Sequence, residues 1–153
     1  MIRSKLTEAL KEAMRAKKEP ATTTIRMINA AIKQKDIDVA RGRGDQQISD
    51  DEILNLLQSL IKSRRESIQL YKQGERQDLV DKEEAEIALI EQFLPKQLSE
   101  EETKAAAREI AASLGASSVK DMGKVMAALK TRYAGQLDMT KASALVKQVL
   151  ADG

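Results

Sequence analysis

The sequence predicts an all-α protein, and two observations carry that prediction. Its 153 residues are rich in Ala, Leu, Glu, Lys, Gln and Ile, with prolines only at Pro20 and Pro95. No segment alternates apolar and polar residues with period two, whereas several repeat apolar residues at helical spacing. The expected architecture is an N-terminal helical domain of about four helices over residues 1–95 and a small three-helix C-terminal domain over residues 96–153.

The first helix is expected over residues 2–17, with Ile2, Leu6, Ala9, Ala13 and Met14 on one face. Pro20 suits the first position of a second helix, where a missing N–H costs nothing. That helix aligns Ile25, Ile28 and Ile32 beside Ala31 and runs to about Asp36. Arg41-Gly42-Arg43-Gly44 reads as a loop by its glycines. It is too short for a phosphate-binding Walker loop and lacks the Lys-Ser/Thr that follows one. Arg43-Gly44-Asp45 spells an adhesion tripeptide, but three residues match too often by chance to carry weight.

Ser49 and Glu52 form a capping box at the start of a third helix, the cap alone being worth about 1 kcal/mol. Ile53, Leu57, Leu60, Ile61, Ile68 and Tyr71 trace its apolar stripe, and Gly74 ends it. A fourth helix over residues 76–94 turns Leu79, Ile87, Ile90 and Leu94 inward. The connection is short, so these two helices pack antiparallel. Pro95 marks the domain boundary. Ser99 and Glu102 repeat the capping box for a fifth helix, which Gly115 stops. Ser117 or Ser118 caps a sixth, whose stripe is Met122, Val125, Met126, Leu129 and Tyr133. Gly135 ends it, and Asp138 caps a seventh that runs to about Leu150.

Composition narrows the chemistry. A single compact domain of this size buries about 68–70% of its unfolded surface and needs no staples. There are no cysteines and no histidines, which removes disulfides, thiolate nucleophiles, imidazole bases and His-built metal sites. No apolar run is long enough to cross a bilayer. The N-terminus is amphipathic and lacks a continuous apolar core, so a secretory signal is not expected and a cytoplasmic location is. Net charge is +2. Residues 1–35 hold nine basic and three acidic residues, residues 36–116 eleven and eighteen, and residues 117–153 six and three. Basic ends around an acidic middle suit a polyanion-binding protein, or ends that fold back and neutralise the middle.

Three clusters are candidate sites. Arg64 and Arg65 interrupt the stripe of the third helix, as a phosphate fork or as partners for Glu83, Glu84 or Glu86 across the helix pair. Residues 81–86 concentrate carboxylates that pair along one helix face. Without a ligand loop or aromatic pocket they read as a solvated, salt-bridged face rather than a cation site. Lys120, Lys124, Lys130, Arg132, Lys141 and Lys147 lie mostly off the core face of the last two helices. Basic side chains near helix N-termini can grip an RNA backbone, or form a solvated face without a partner. Lys124, Lys130 and Arg132 are left over once the fold is accounted for. With Tyr71, Phe93 and Tyr133 as the aromatics, base stacking is not expected, and RNA recognition would run through backbone and shape.

Three strings carry a family likeness: IRMINAAIKQKDID at residues 25–38, RRESIQLYKQGERQDLVDKEEAEIALIEQFLPKQLSEEE at 64–102 and GASSVKDMGKVMAALKTRYAGQLD at 115–138. In order and over nearly the whole chain they closely resemble the YqeY family. That family is similar to the C-terminal part of GatB, a component of the aspartyl/glutamyl-tRNA amidotransferase, and this is the part that cradles tRNA. The resemblance implies a larger helical domain followed by a three-helix one. It also implies an association with carbon–nitrogen ligase activity using glutamine as amido-N-donor. It supplies no active site, since the part of GatB that handles ATP and the acyl group has no counterpart here. The expected function is a non-catalytic tRNA-binding or adaptor module, with an aminoacyl-tRNA synthetase or amidotransferase subunit as a further partner. The alternative is a protein-interaction domain that uses the acidic middle and binds no RNA. No catalytic residue, cofactor, metal ion, membrane or DNA is expected.

Overall fold

The computed structural model describes residues 1–152. Seven α-helices are present, and no strand occurs among the described residues. They divide into two compact units, Met1–Leu94 and Pro95–Gly153.

The first unit contains α1 (Ile2–Arg15), α2 (Glu19–Lys35), α3 (Asp50–Gln73) and α4 (Gln77–Glu91). Its core is isoleucine-rich: Leu6, Ile25, Ile28, Ile53, Leu57, Ile61 and Ile90 are fully buried. Ser49 caps α3 with both bonds of the capping box, Glu52 N–H donating to Ser49 Oγ at 3.2 Å and Ser49 N–H to Glu52 Oε1 at 3.0 Å. α3 and α4 form an antiparallel hairpin. Arg64 and Glu86 lie equally far from Glu75 along the chain, on opposite sides of it, and meet at 3.0 Å. Gly74 closes α3, yet the left-handed residue of the turn is Glu75, at φ 55°.

Several expectations are corrected. Met14 is half exposed, because it lies well round the helix from Leu6, and its sulfur faces Arg26. On α4 the buried residue of the first turn is Val80, and Leu79 is only partly covered. Pro20 occupies the second rather than the first position of α2, which has Lys18 as N-cap. Residues 36–43 are not a loop. α2 runs on through a five-residue π-turn, Asp36–Ala40, and a 3₁₀ turn, Arg41–Arg43, before Gly44 stops it at φ 90°.

That extension is held by a buried carboxylate. Arg3 donates to both oxygens of Asp36, at 3.1 and 2.8 Å, and Ile48 N–H donates to Asp36 Oδ1 at 2.8 Å. The Arg3 guanidinium holds the Asp36 carboxyl below its usual range; burial opposes this and the Ile48 amide assists it.

The second unit contains α5 (Glu100–Leu114), α6 (Met122–Arg132) and α7 (Met139–Asp152). Ala107, Val125, Leu129 and Val146 are its fully buried centre, with Met122, Met126 and Tyr133 packed against it. Ser99 makes a second complete capping box with Glu102. Gly115 ends α5 in the left-handed region, at φ 67°. Ser118 precedes a 3₁₀ turn, Val119–Asp121, that leads into α6. Asp138 accepts from the N–H groups of Thr140 and Lys141 at 3.0 and 3.2 Å, and so caps α7. Leu98 N–H donates to Gln136 O at 2.9 Å and Gln97 Nε2 to Gly135 O at 2.6 Å, which ties the segment before α5 to the turn between α6 and α7.

Arg43 spans from the 3₁₀ turn to α3 and donates to both oxygens of Glu52, at 2.8 and 2.6 Å. Those bonds, with the capping-box bonds, pull Glu52 down to about 2 from an ordinary 4.5. Its contribution to stability is complete above about 4.5 and is lost as pH falls toward about 2. Urea melts of wild type and Glu52→Gln will show the variant weaker at neutral pH, with the gap closing through that acidic window.

Candidate nucleic-acid interface

Lys120, Lys124, Lys130, Lys141 and Lys147 are all exposed. Among the described residues no carboxylate lies within ion-pair distance of any of them. The register of the helices explains this. On α6 the core side is Val125 and Leu129, with Met122, Met126 and Tyr133 packed beside them. At about 100° per residue, Lys124 falls opposite that side, and Lys130 falls on one flank with Arg132 on the other. On α7 the core side is Ala142, Val146 and Leu150, which leaves Lys141 and Lys147 on opposite flanks. The lysines are thus spread over the open sides of two helices rather than drawn into one stripe.

Arg132 differs. It pairs with Glu109 of α5 at 3.3 Å, both side chains more than half exposed, and its guanidinium lies 5.6 Å from the Tyr133 ring centre. The expectation that Arg132 has no structural duty is corrected. An exposed pair of this kind is worth about 0–1 kcal/mol, so it competes weakly with any other anion. Acids are not absent from this unit, which holds nine basic and seven acidic residues. Three of the acids sit in the first turn of α5, where they complement its N-terminal dipole.

Arg64 and Arg65 are placed in the first unit, on the α3–α4 hairpin. Arg64 is largely enclosed. It pairs with Glu86 at 3.0 Å and Glu83 at 3.8 Å, donates to Leu60 O at 3.1 Å, and lies 3.8 Å from the Met27 sulfur. Arg65 meets Glu91 at 3.4 Å on the open side. The acid-rich helix therefore supplies the counter-charges for both. The adhesion-like tripeptide is likewise engaged within the fold, Arg43 pairing with Asp45 at 2.6 Å. No group of three or more Asp or Glu among the described residues is arranged to hold a metal ion. None of the described helices is long and apolar enough to cross a membrane.

The geometry defines an all-helical protein of two units, the second of which presents unpaired lysines on short helices. Residues 3–150 match the sequence profile described as Yqey-like protein, and the chain belongs to the YqeY family. Among curated proteins it is similar to "Altered inheritance of mitochondria protein 41, mitochondrial" of Lachancea thermotolerans. The identity is 38% over 89 residues, which is 58% of this chain and 46% of that protein. The counterpart of the same name in Vanderwaltozyma polyspora is 37% identical over the same shares. An uncharacterized protein of Schizosaccharomyces pombe is 26% identical over 98 residues, 64% of this chain and 76% of the other. The chain spans about half the length of the first two relatives. Those two are named as mitochondrial proteins, which overturns the cytoplasmic expectation drawn from the N-terminal composition.

Enclosed and unpaired basic residues will respond differently to truncation. Arg64→Ala strands two partly buried carboxylates and is expected to lower stability by about 1–3 kcal/mol. Lys124→Ala and Lys130→Ala are expected to change it by less than about 0.5 kcal/mol. Chemical denaturation of the three variants checks both expectations.

Proposed function

We propose that this protein is a non-catalytic tRNA-binding or adaptor module related to the glutamine-dependent tRNA amidotransferase system. Its grip on RNA is assigned to Lys120, Lys124, Lys130, Lys141 and Lys147, with Arg132 as an auxiliary contact. The observation that carries the reading is that the five lysines are exposed and without a carboxylate partner among the described residues. The YqeY family as a whole is similar to the C-terminal part of GatB, the part that cradles tRNA, which supports the same reading. Tyr71 and Phe93 pack against the core of the first unit and Tyr133 against that of the second, so no free aromatic platform offers stacking. Recognition then falls to phosphates and shape. The chain has no thiol and no imidazole for acyl or ammonia chemistry, and we assign no catalytic step to it.

Gly123 supports the same reading. It is exposed in the first turn of α6 beside Lys124, outside the left-handed region, and a Cβ there would meet nothing within 4 Å. The fold gives no reason for a glycine, whereas a bare backbone lets a phosphate approach closely.

The alternative, protein contact through the acidic middle, has less support. Asp78 pairs with Arg76, Asp81 accepts from Gln77, Glu83 and Glu86 face Arg64, and Glu91 faces Arg65. Most of that face is already engaged within its own unit.

Filter binding of tRNA at several salt concentrations tests the proposal. Five phosphate contacts predict a log–log slope of about −4. Lys124→Glu with Lys130→Glu should weaken binding at least about tenfold and flatten that slope. Gly123→Ala should raise stability by about 0.5 kcal/mol while weakening binding. Tight binding that ignores the two charge reversals overturns the assignment.

A further inference from the structure

A second set of unpaired cations lies in the first unit, where α2 passes into the π-turn. A crevice of about 620 Å³ opens there, lined by Lys33, Asp36, Ile37, Arg41, Gln46 and Gln47. Lys33 and Arg41 are exposed, and among the described residues neither side chain makes a hydrogen bond or meets a carboxylate at ion-pair distance. The nearby carboxylate of Asp36 feels the charge of Arg41, but it makes no hydrogen bond to either cation. Both oxygens of Asp36 are taken by Arg3, and Oδ1 also receives the Ile48 N–H. Gln46 and Gln47, from the segment leading to α3, add amide groups that have no partner among the described residues.

The backbone is what brings these groups to one opening. A regular helix would set Arg41 about two turns above Lys33 and some 80° round the axis. The π-turn at Asp36–Ala40 is wound more widely and resets that direction. Such turns recur at functional positions in helices. The Asp36–Arg3–Ile48 clamp ties this one to α1 and to the residue before the α3 cap. Ile37 contributes an apolar patch at the same opening, 41% exposed.

We propose that this crevice binds a small phosphorylated ligand, with Lys33 and Arg41 on the phosphate, Gln46 and Gln47 on its remaining oxygens, and Ile37 against the body it carries. A carboxylate would be satisfied by the fork of Arg41 alone. A phosphate monoester carries about −1.5 to −2 charge and three acceptor oxygens, which suits two cations and two amides from separate segments. The volume exceeds that of an inorganic ion and falls in the range of about 300–1,000 Å³ typical of small-molecule sites. This site is independent of the lysines of α6 and α7.

Calorimetric titration of the full chain with AMP, adenosine and inorganic phosphate at low salt tests the proposal. AMP should bind with a Kd of about 1 mM or tighter and at least about tenfold better than adenosine. Lys33→Gln and Arg41→Gln should each weaken AMP about tenfold, the loss of one charge-assisted contact, while Lys124→Gln leaves it unchanged. Both side chains are exposed and unpaired, so the variants should melt as wild type does, which a thermal scan verifies. Equal binding of AMP and adenosine overturns the proposal, as does no AMP binding at about 5 mM. So does AMP binding that neither variant weakens. If tRNA binding depends on Lys33 and Arg41 while AMP and phosphate do not bind, the crevice belongs to an RNA surface, and the small-ligand assignment is overturned.

Discussion

The carboxylate of Asp36 is the point on which the first unit turns. It is nearly buried, and it receives Arg3 from α1 and the amide of Ile48, the residue just before the α3 cap. Three segments far apart in sequence are thereby fixed at one ionised group. A buried charge without partners is expensive to keep, so this geometry is over-determined: two guanidinium bonds and one amide bond satisfy it. With Ile48 held, Ser49 stands where its side chain caps α3, and Arg43 reaches Glu52 of the first turn. The π-turn, the 3₁₀ turn and the start of the longest helix all follow from that one site.

Two populations of basic side chains stand apart in the molecule. Arg3, Arg43, Arg64, Arg65, Arg76 and Arg132 each hold a carboxylate. Lys33, Arg41 and Lys120, Lys124, Lys130, Lys141 and Lys147 of the second unit hold none at ion-pair distance among the described residues. The most enclosed pairs, those of Arg3 and Arg64, are made by arginine, whose guanidinium fork suits partly dehydrated bonds, while an ammonium group stays hydrated on a flexible stem. Arg41 is one of four arginines without a carboxylate at ion-pair distance among the described residues, with Arg15, Arg26 and Arg108, and it stands at the mouth of the crevice whose one carboxylate is already held by Arg3. Within the acidic middle, Asp45, Glu52, Asp78, Glu83, Glu86 and Glu91 are counter-charges of its own arginines.

Much of this was readable in the sequence because it is written in short-range chemistry. Ser49 with Glu52 and Ser99 with Glu102 name two helix starts outright, and the lines of isoleucine on α2 and α3 name their buried sides. Pairing of Arg64 with the acids of α4 followed from a short connection and helical spacing. What was not readable depends on contacts remote in sequence. Asp36 looks like the polar end of a helix until Arg3 and Ile48 are beside it, thirty-three and twelve residues away. Its burial accompanies a helical path that runs on past Gly42, one of two glycines that otherwise signal a loop, and stops at Gly44. Arg132 looked unengaged because Glu109, twenty-three residues earlier, approaches it only once α5 and α6 pack. The one-residue shift from Leu79 to Val80 on α4 reflects a helix start without a side-chain cap to set its register.

The central claim is that Lys120, Lys124, Lys130, Lys141 and Lys147, left without a carboxylate by the fold, are the ones that meet RNA. Amide chemical shifts of isotope-labelled protein titrated with tRNA at low salt test it most directly. Shifts should concentrate over residues 119–147, around the lysines of α6 and α7, with the α3–α4 hairpin unmoved. Shifts centred on the acidic face of α4, or a spectrum unchanged by saturating tRNA, would contradict it.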